Sequence, residues 1–341
     1  MFYKWIDGVN KGEFPILKSV IYQFSESDLA IVKQDWQIII DKIKAGKAHE
    51  ISEGDTMYLA ACTKGANAKS MRKQPFSDIP AKQRAYSLKN SYMTAYVRRI
   101  LMNEDVISVF KPEELKSKSV DELLHERFAP YIGRTLYELK HHINFAENKN
   151  KAMYANLVSD LLGIKGTSLD DTEEFAKANI KFKTIRLEPN GVPREHMSFE
   201  QIDFDRWLNA SWEESQVYET FENTKFLFVV FQFTETEREN PNRVPYLKGI
   251  KLWNMPEQII ETELKDLWQT VHDILAVGVE LTQTPRGVKN NLPGAKFNGV
   301  CHIRPKAANA ADKVRLPDGQ MITKQTYWLN REYIAEIVRE L

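Results

Sequence analysis

The strongest constraint on the fold is a long-range internal repeat that relates residues 33–92 to residues 265–333. Each copy begins with an acidic, tryptophan-bearing stretch of helical spacing, KQDWQIIIDKIKAGK or KDLWQTVHDILAVGV. Each continues with a small-residue loop around a lysine, CTKGANAKS (62–70) or IRPKAANAAD (303–312). Each ends with an aromatic–leucine–polar segment, AYSLKNSY (85–92) or TYWLNREY (326–333). Such self-similarity predicts two copies of one structural unit.

The repeated loop suits contact with an anion. Small residues around a lysine let backbone N–H groups approach a phosphate closely. We expect Asn67 or Asn309 to cap a following helix, whose N-terminus favours negative charge. A guanidinium can bond guanine with two hydrogen bonds, so Arg304 is instead a candidate for contact with a base edge. A capped turn that carries ordinary surface lysines is the alternative interpretation.

Local patterns predict two domains in this chain of 341 residues. Residues 101–120 change from acidic to Lys/Ser-rich, and we expect a linker there between a domain at 1–100 and another at 121–341. Beyond it, helices are predicted near 120–130, 134–144 and 151–162, strands at 180–188, 224–233 and 247–255, and a helix at 260–275. This order predicts an α/β or α+β fold.

The charge distribution is uneven although the net charge is zero. Residues 61–100 carry nine Lys/Arg against one acid, and residues 281–315 carry seven against one. Two basic blocks in a neutral chain favour contact with a polyanion, although a solvated lysine-rich surface would look the same. No apolar run reaches the length of a membrane span. The two cysteines, Cys62 and Cys301, are too few for a disulfide framework, so a reducing cytoplasm is predicted.

The sequence RPKAANA, which follows a tryptophan-bearing acidic helix and precedes an aromatic-x-Leu strand, resembles the MutH-like family of endonucleases that act at GATC. The stretch from KQDWQII to AYSLKNSYMT is similar to the family's type II restriction enzymes of the staphylococcal type. The resemblance implies a restriction-endonuclease-like fold with a central mixed sheet flanked by helices. It also implies two tandem domains, the first catalytic and the second regulatory.

The family's catalytic motif is an Asp followed by Glu-Leu-Lys seven and nine residues later, with another Glu upstream and another Lys downstream. The acids hold a divalent metal, and the lysines orient water and stabilise the charge that develops on phosphate. In the first repeat this motif would lie before residue 1. The resemblance therefore implies that residues 1–100 are the C-terminal part of a catalytic domain.

For the second repeat, the resemblance aligns the motif with EEFAKANIKFKT (173–184). Glu174 takes the place of the Asp, Lys181 replaces the essential Glu, and Lys183 matches the motif lysine. Lys225 matches the downstream lysine, and the upstream Glu falls at Ser159 or Asp160. Because a lysine replaces a metal ligand, we expect a degenerate site that excludes metal and binds phosphate.

The sequence therefore predicts the DNA-binding, noncatalytic C-terminal portion of a GATC-type restriction endonuclease. The intact enzyme is expected to use Mg²⁺, whereas this chain needs no cofactor. Its partners would be double-stranded DNA, the missing catalytic portion and a second copy of itself. The expected DNA contacts are Arg304, Lys306, Asn309, Tyr327 and Trp328 in the second repeat and Lys64, Asn67, Lys69 and Arg72 in the first.

Two other functions stay open at this stage. One is an active nuclease with a rearranged site made of Asp160, Glu174 and Lys183. The other is an interaction module that dimerises or transmits regulation without touching DNA.

Overall fold

The computed structural model describes residues 1–64, 70–103, 106–145, 152–285 and 287–341. Within these ranges, no helix is both long enough and apolar enough to cross a membrane. Cys62 and Cys301 are both free thiols.

The helices of the described residues are distributed along the whole chain. They are α1 (Glu26–Lys44), α2 (Asn90–Met102), α3 (Pro112–Ser117), α4 (Val120–Phe128), α5 (Leu136–His142), α6 (Met153–Leu161), α7 (Glu173–Ala178), α8 (Phe204–Asn209), α9 (Gln216–Asn223), α10 (Glu257–Ile259), a π-helical turn (Ile260–Leu264), α11 (Lys265–Val277) and α12 (Arg331–Ile337). The helices predicted near 120–130, 134–144 and 151–162 are confirmed as α4, α5 and α6.

The strands are short, and several come in pairs. They are β1 (Phe2–Tyr3), β2 (Ile16–Lys18), β3 (Leu59–Thr63), β4 (Met71–Gln74), β5 (Ser77–Lys82), β6 (Arg84–Leu88), β7 (Ile180–Leu187), β8 (Met197–Gln201), β9 (Lys225–Gln232), β10 (Tyr246–Trp253), β11 (Leu281–Thr284), β12 (Gly287–Asn290), β13 (Cys301–Pro305), β14 (Lys313–Arg315), β15 (Met321–Thr323) and β16 (Gln325–Leu329).

Two three-stranded sheets form the centre of the C-terminal part. The first has the order β10-β9-β7, in which β7 runs parallel and β10 antiparallel to β9. The second is antiparallel and has the order β13-β16-β8. The mixed α+β class and the mixed character of the sheet that contains 180–187 are therefore confirmed.

Strand β9 is buried on both faces because its side chains alternate between two cores. Phe226, Phe228 and Val230 join the core that also holds the second sheet, α9 and α11. Leu227 and Val229 join a second core, built with residues of α4, α5 and α6. A continuous apolar run such as KFLFVVF is expected in a strand of this kind. The first sheet therefore separates the molecule into two layers.

The internal repeat is confirmed at the level of topology and register. In each copy two antiparallel strands flank an inserted hairpin, and a helix follows: β3, β4-β5, β6 and α2 in the first, and β13, β14-β15, β16 and α12 in the second. Leu59 lies opposite Leu88, and Cys301 lies opposite Leu329. Below we call residues 59–102 the N-terminal repeat and residues 301–337 the C-terminal repeat.

The segment predicted to be a linker is part of a core. Phe110 and Leu115 are buried with Leu123 and Phe128, and α3 lies against α1. The same core takes in Ile31, Tyr58 and Tyr92 from the first hundred residues. The three residues that form a separate core in the N-terminal part are Ile39, Ile51 and Ala61. Residues from the first hundred are therefore packed onto the rest of the chain.

A buried ion cluster adds to this contact. The Arg84 guanidinium lies 3.1 Å from an oxygen of Glu222 and 3.4 Å from one of Glu257. Lys82 lies 2.7 Å from Glu257 and 2.6 Å from Glu261. Lys82 and Arg84 of the N-terminal repeat are thus paired with three carboxylates of the C-terminal part.

Candidate nucleic-acid interface

Lys181 and Lys183 project from the face of β7 that looks toward the second sheet. They share this face with Ile185 and Leu187, which pack in the core that contains Phe228. Lys183 reaches over the ring of Phe199 in β8, 5.3 Å from the ring centre. At the start of β7, this face therefore carries Lys181 and Lys183 in place of apolar side chains.

The carboxylate beside this lysine pair is Asp170, which was not among the residues predicted from the sequence. It lies on a 3₁₀ turn, where one oxygen accepts a hydrogen bond from the backbone N–H of Phe182 at 2.7 Å. Its other oxygen is 3.8 Å from Lys181 Nζ. Burial raises the pKa of Asp170, and this outweighs the hydrogen bond and the two nearby lysines. The run SLDD just before EEFAKAN was the available sequence signal.

Burial also lowers the pKa of Lys183. The charges of Lys306 and Lys181 act in the same direction, against the attraction of Asp170 and Glu200. A lysine cluster whose positive charge is disfavoured in this way gains when an anion binds beside it, because the anion restores the balance of charge.

Glu174 does not lie with the lysine pair. Its side chain is 2% exposed and bonds to the hydroxyl of Ser108 and, at 2.9 Å, to the backbone N–H of Val109. Burial raises the pKa of Glu174 above its ordinary value. The charges that were expected to surround it are absent from its described contacts, so Glu174 is a structural carboxyl that ties α7 to the segment before α3.

Lys225 and Asp160 are also remote from the lysine pair. Lys225 lies opposite Ile180, on the face of the sheet away from Lys181, and its ammonium donates to the backbone oxygen of Asp55 at 3.0 Å. Burial lowers the pKa of Lys225. Asp160 is half-buried near the end of α6, a helix whose apolar side chains pack in that same layer. No described contact joins either residue to Lys181, Lys183 or Glu174.

Three residues predicted to bind DNA form one group on the second sheet. Arg304 and Lys306 both lie over the indole of Trp328, at 5.7 Å and 6.0 Å from the ring. The Trp328 N–H donates to the backbone oxygen of Arg304 at 3.2 Å. Lys306 donates to the hydroxyl of Ser198 at 2.7 Å, which brings it toward the groove that Lys183 also lines. Arg304 and Lys306 are exposed and available to a ligand.

Tyr327 and Asn309 occupy other roles than those predicted. Tyr327 is 1% exposed, and its hydroxyl shares a hydrogen bond of 2.8 Å with Thr220. Its ring belongs to the core, so it does not reach DNA. Asn309 is exposed, but it accepts from the backbone N–H of Ala311 at 2.9 Å in a turn that leads into β14. The expected capped helix is therefore absent there.

The N-terminal repeat carries a different surface at the equivalent positions. By strand register, Cys62 stands where the other repeat has Arg304, and Ser87 stands where it has Trp328. The Sγ atom of Cys62 and the Oγ atom of Ser87 are 2.5 Å apart. Lys64 and Arg72 are exposed. Asn67 and Lys69 lie outside the described residues. The first repeat thus lacks the arginine–tryptophan pair.

The described side chains offer little to a divalent metal. Among residues 1–64, 70–103, 106–145, 152–285 and 287–341, no group of three or more His, Cys, Asp or Glu side chains is placed to hold one. At the lysine pair Asp170 already accepts from backbone and faces an ammonium. Mg²⁺ prefers several oxygen ligands in octahedral geometry. The residues present do not fit that ion.

Sequence comparison shows the family to which a chain with these features belongs. Residues 162–266, which include the lysine pair, match the family described as DNA mismatch repair enzyme MutH. The chain is 37% identical to the type II restriction enzyme Sau3AI of Staphylococcus aureus over 382 aligned positions, which cover all of this chain and 76% of that enzyme. The chain belongs to the family of Sau3AI and MutH.

More distant relatives include the DNA mismatch repair proteins MutH of Actinobacillus pleuropneumoniae and of Vibrio campbellii. The first is 25% identical over 65% of this chain and 94% of its own length. The second is 28% identical over 40% of this chain and 54% of its own length. Family membership implies a restriction-endonuclease-like fold and supports a DNA-binding, nuclease-related protein.

Proposed function

We propose that this chain is a duplex-DNA-binding portion of a type II restriction endonuclease and is not catalytic by itself. The observation that carries the proposal is the lysine pair of β7, where Lys181 lies 3.8 Å from Asp170 and where the charges of Lys306 and Glu200 also act on Lys183. The MutH relationship of residues 162–266 places this pair inside a nuclease-related domain.

The charges favour a phosphate over a metal ion. Lys181, Lys183 and Lys306 outnumber the two carboxylates that act on Lys183, Asp170 and Glu200, and the pKa of Lys183 is already lowered by burial and by the two neighbouring lysines. A divalent cation would add to that repulsion, whereas a phosphate oxygen would relieve it. Arg304 above Trp328 provides a guanidinium for a base edge, and GATC is the site that the family resemblance suggests.

The proposal includes a division of labour. We infer that residues 1–100 are the C-terminal part of a catalytic-type domain and that residues 121–341 form a complete MutH-like domain. Residues 101–120 would connect the two, with Phe110 and Leu115 packed in a core to which both contribute. The partner would be a polypeptide that carries the Asp…Glu-Leu-Lys motif and uses Mg²⁺. This chain then supplies DNA binding and regulation.

The first prediction concerns DNA binding without metal. The chain is expected to shift a short duplex at low salt and to lose affinity as salt rises, because phosphate contacts release counterions. Lys306→Ala should weaken binding to every duplex and reduce the salt slope by about one. Arg304→Ala should reduce discrimination for GATC by about 1–3 kcal/mol. Mobility-shift titrations over a salt series measure both effects.

Lys118→Ala is the matched control. Lys118 pairs with Glu126 near the core on the opposite side of the first sheet from Lys181. It should bind like the parent chain. Absence of any shift at low salt would refute DNA binding. Equal losses on GATC and random duplexes in Arg304→Ala would remove base reading from that residue and leave the phosphate contacts standing.

The second prediction concerns catalysis. The purified chain should leave a GATC-containing plasmid intact in Mg²⁺, with Sau3AI as the positive control. The reason is Lys181, which stands where the family motif has a metal-binding acid. Mg²⁺-dependent cleavage that disappears in Glu174→Ala would favour the rearranged site of Asp160, Glu174 and Lys183, even though the structure keeps those residues apart.

A further inference from the structure

The face of the second sheet that points away from the core carries a group of neighbouring rings. His302 of β13 lies directly opposite Trp328 of β16. Their planes are 16° from parallel and their centres 6.4 Å apart, which is within the range of an offset stack. The ring of His196 meets His302 edge-on, with the centres 4.6 Å apart. Arg304 lies two residues after His302 on the same strand face, so both side chains lie near one indole.

The hydrogen bonds around His302 determine which ring nitrogen carries the proton. The amide nitrogen of Asn330 donates to the backbone oxygen of Ala295 at 3.0 Å, so the amide oxygen of Asn330 faces His302 as an acceptor. Nδ1 of His302 is therefore the donor in this bond. Nε2 is buried and has no hydrogen-bond partner among the described residues. A proton on Nε2 would place a charge in a buried position where no described group accepts it.

His302 is an uncharged ring at neutral pH. Burial is the main cause that lowers the pKa of His302, to about 4. The charges of His196 and Arg304 act in the same direction. The hydrogen bond to Asn330 and the charge of Glu332 oppose them. The ring therefore packs against the indole without repelling the guanidinium that lies over the same indole.

We propose that His302 is a positioning residue for base reading, which acts through Trp328 by holding the indole against which the Arg304 guanidinium lies. The N–H of Trp328 donates to the backbone oxygen of Arg304 at 3.2 Å, which fixes one edge of the indole. The ring of His302 fixes its tilt. A guanidinium forms two hydrogen bonds with guanine only when its plane is correctly directed, so a tilt of the indole changes the contact with the base. The inference rests on the proposed function, because it requires that Arg304 contacts a base.

Two substitutions separate the ring of His302 from its hydrogen bond. His302→Asn keeps a donor toward Asn330 and removes the ring, whereas His302→Phe keeps a ring and removes the donor. His302→Asn should lower the ratio of GATC to random-duplex affinity at least about fivefold, the lower end of what a bidentate arginine–guanine contact contributes. His302→Phe should keep that ratio, and both variants should bind random duplex like the parent. His125→Asn is the matched control, because His125 is exposed on α4, and it should leave the ratio unchanged.

A double-mutant cycle tests whether His302 acts through Arg304. In an Arg304→Ala background, His302→Asn should cause no further loss of discrimination, because the group that it positions is already gone. Losses that multiply overturn the inference, and so does a ratio that falls in His302→Phe but survives in His302→Asn. A parent chain that does not prefer GATC overturns the base reading in the proposed function and this inference with it. A preference that survives His302→Asn overturns this inference alone.

Two NMR readouts test the arrangement without DNA. The ¹⁵N signals of His302, assigned by their absence in His302→Phe, should show a neutral ring protonated on Nδ1 at neutral pH. A proton on Nε2 overturns the inference, and this measurement needs only the folded parent chain and one variant. With fluorinated tryptophan, the ¹⁹F line that disappears in Trp328→Phe should shift more in His302→Asn than in His302→Phe. A line that His302→Asn leaves in place would show that the ring does not hold the indole.

Discussion

Arg84→Met is expected to destabilise the fold by about 3–5 kcal/mol at neutral pH, the usual cost of removing one partner of a buried ion pair. The Arg84 guanidinium contacts both Glu222 and Glu257, whose side chains are 3% and 6% exposed. Without it, two buried carboxylates face each other. Chemical denaturation of parent and variant gives the difference directly.

The loss of folding stability caused by Arg84→Met should depend on pH in a defined direction. Burial raises the pKa of Glu222 well above its ordinary value, and the nearby Glu257 raises it further, against Arg84. Because the folded pKa exceeds the unfolded one, stability falls as pH rises between the two values. Removing Arg84 raises the folded pKa again, so Arg84→Met should lose less stability at pH 5 than at pH 8.

Two further variants separate charge from packing. Glu222→Gln in the Arg84→Met background should recover much of the loss, because it removes the uncompensated carboxylate. Arg339→Met should change stability too little to measure, since Arg339 and Glu336 form an exposed pair at 3.8 Å. An Arg84→Met protein as stable as the parent at both pH values would show that the cluster does not hold the repeat in place.

The repeat was predictable from sequence because its features are local. A tryptophan-bearing helix, a small-residue loop and an aromatic-Leu strand recur in both copies. The loop lysine and the strand leucine are 24 residues apart in the first copy and 23 in the second. The strand register keeps equivalent residues of the two copies opposite each other. The packing of residues 1–100 was not predictable. It depends on buried polar groups such as Asp35, which accepts hydrogen bonds from the backbone N–H groups of Met57, Tyr58 and Leu59. Helical spacing places Asp35 on the same face as Ile31 and Ile39, but it does not show which backbone groups the carboxylate binds.

The structure differs from the expectation that Glu174 lies beside the lysines, and the difference has a physical reason. Spacing along the chain predicts neighbours only when the backbone between them keeps one conformation. Glu174 lies in the first turn of α7, and Asn179 then turns the chain with a φ of 52° before β7 begins. The helix directs Glu174 into the core, and the preceding 3₁₀ turn presents Asp170 to the lysines instead. The seven-residue spacing therefore does not bring Glu174 beside the lysines.

Lys181→Glu is expected to invert the preference of the site. The new carboxylate would lie beside Asp170, where Lys181 now stands 3.8 Å away, and would supply the second acidic ligand that the parent chain lacks. Calorimetry should detect Mg²⁺ or Mn²⁺ binding with a dissociation constant on the order of 1 mM, as for weak carboxylate sites. DNA affinity in the absence of metal should fall at least about tenfold, because one phosphate contact becomes a repulsion.

Asp170 decides how this result is interpreted. If the metal is held by the pair, Lys181→Glu with Asp170→Asn should lose the gained metal binding, while Lys181→Glu with Glu174→Gln should keep it. The opposite outcome would assign the site to Glu174 and require that α7 rearrange. Metal binding already present in the parent chain would contradict the charge argument. Cleavage is not expected in the single variant, because two acids and Lys183 still lack the upstream acid that the family uses, and Asp160 lies in the other layer of the fold.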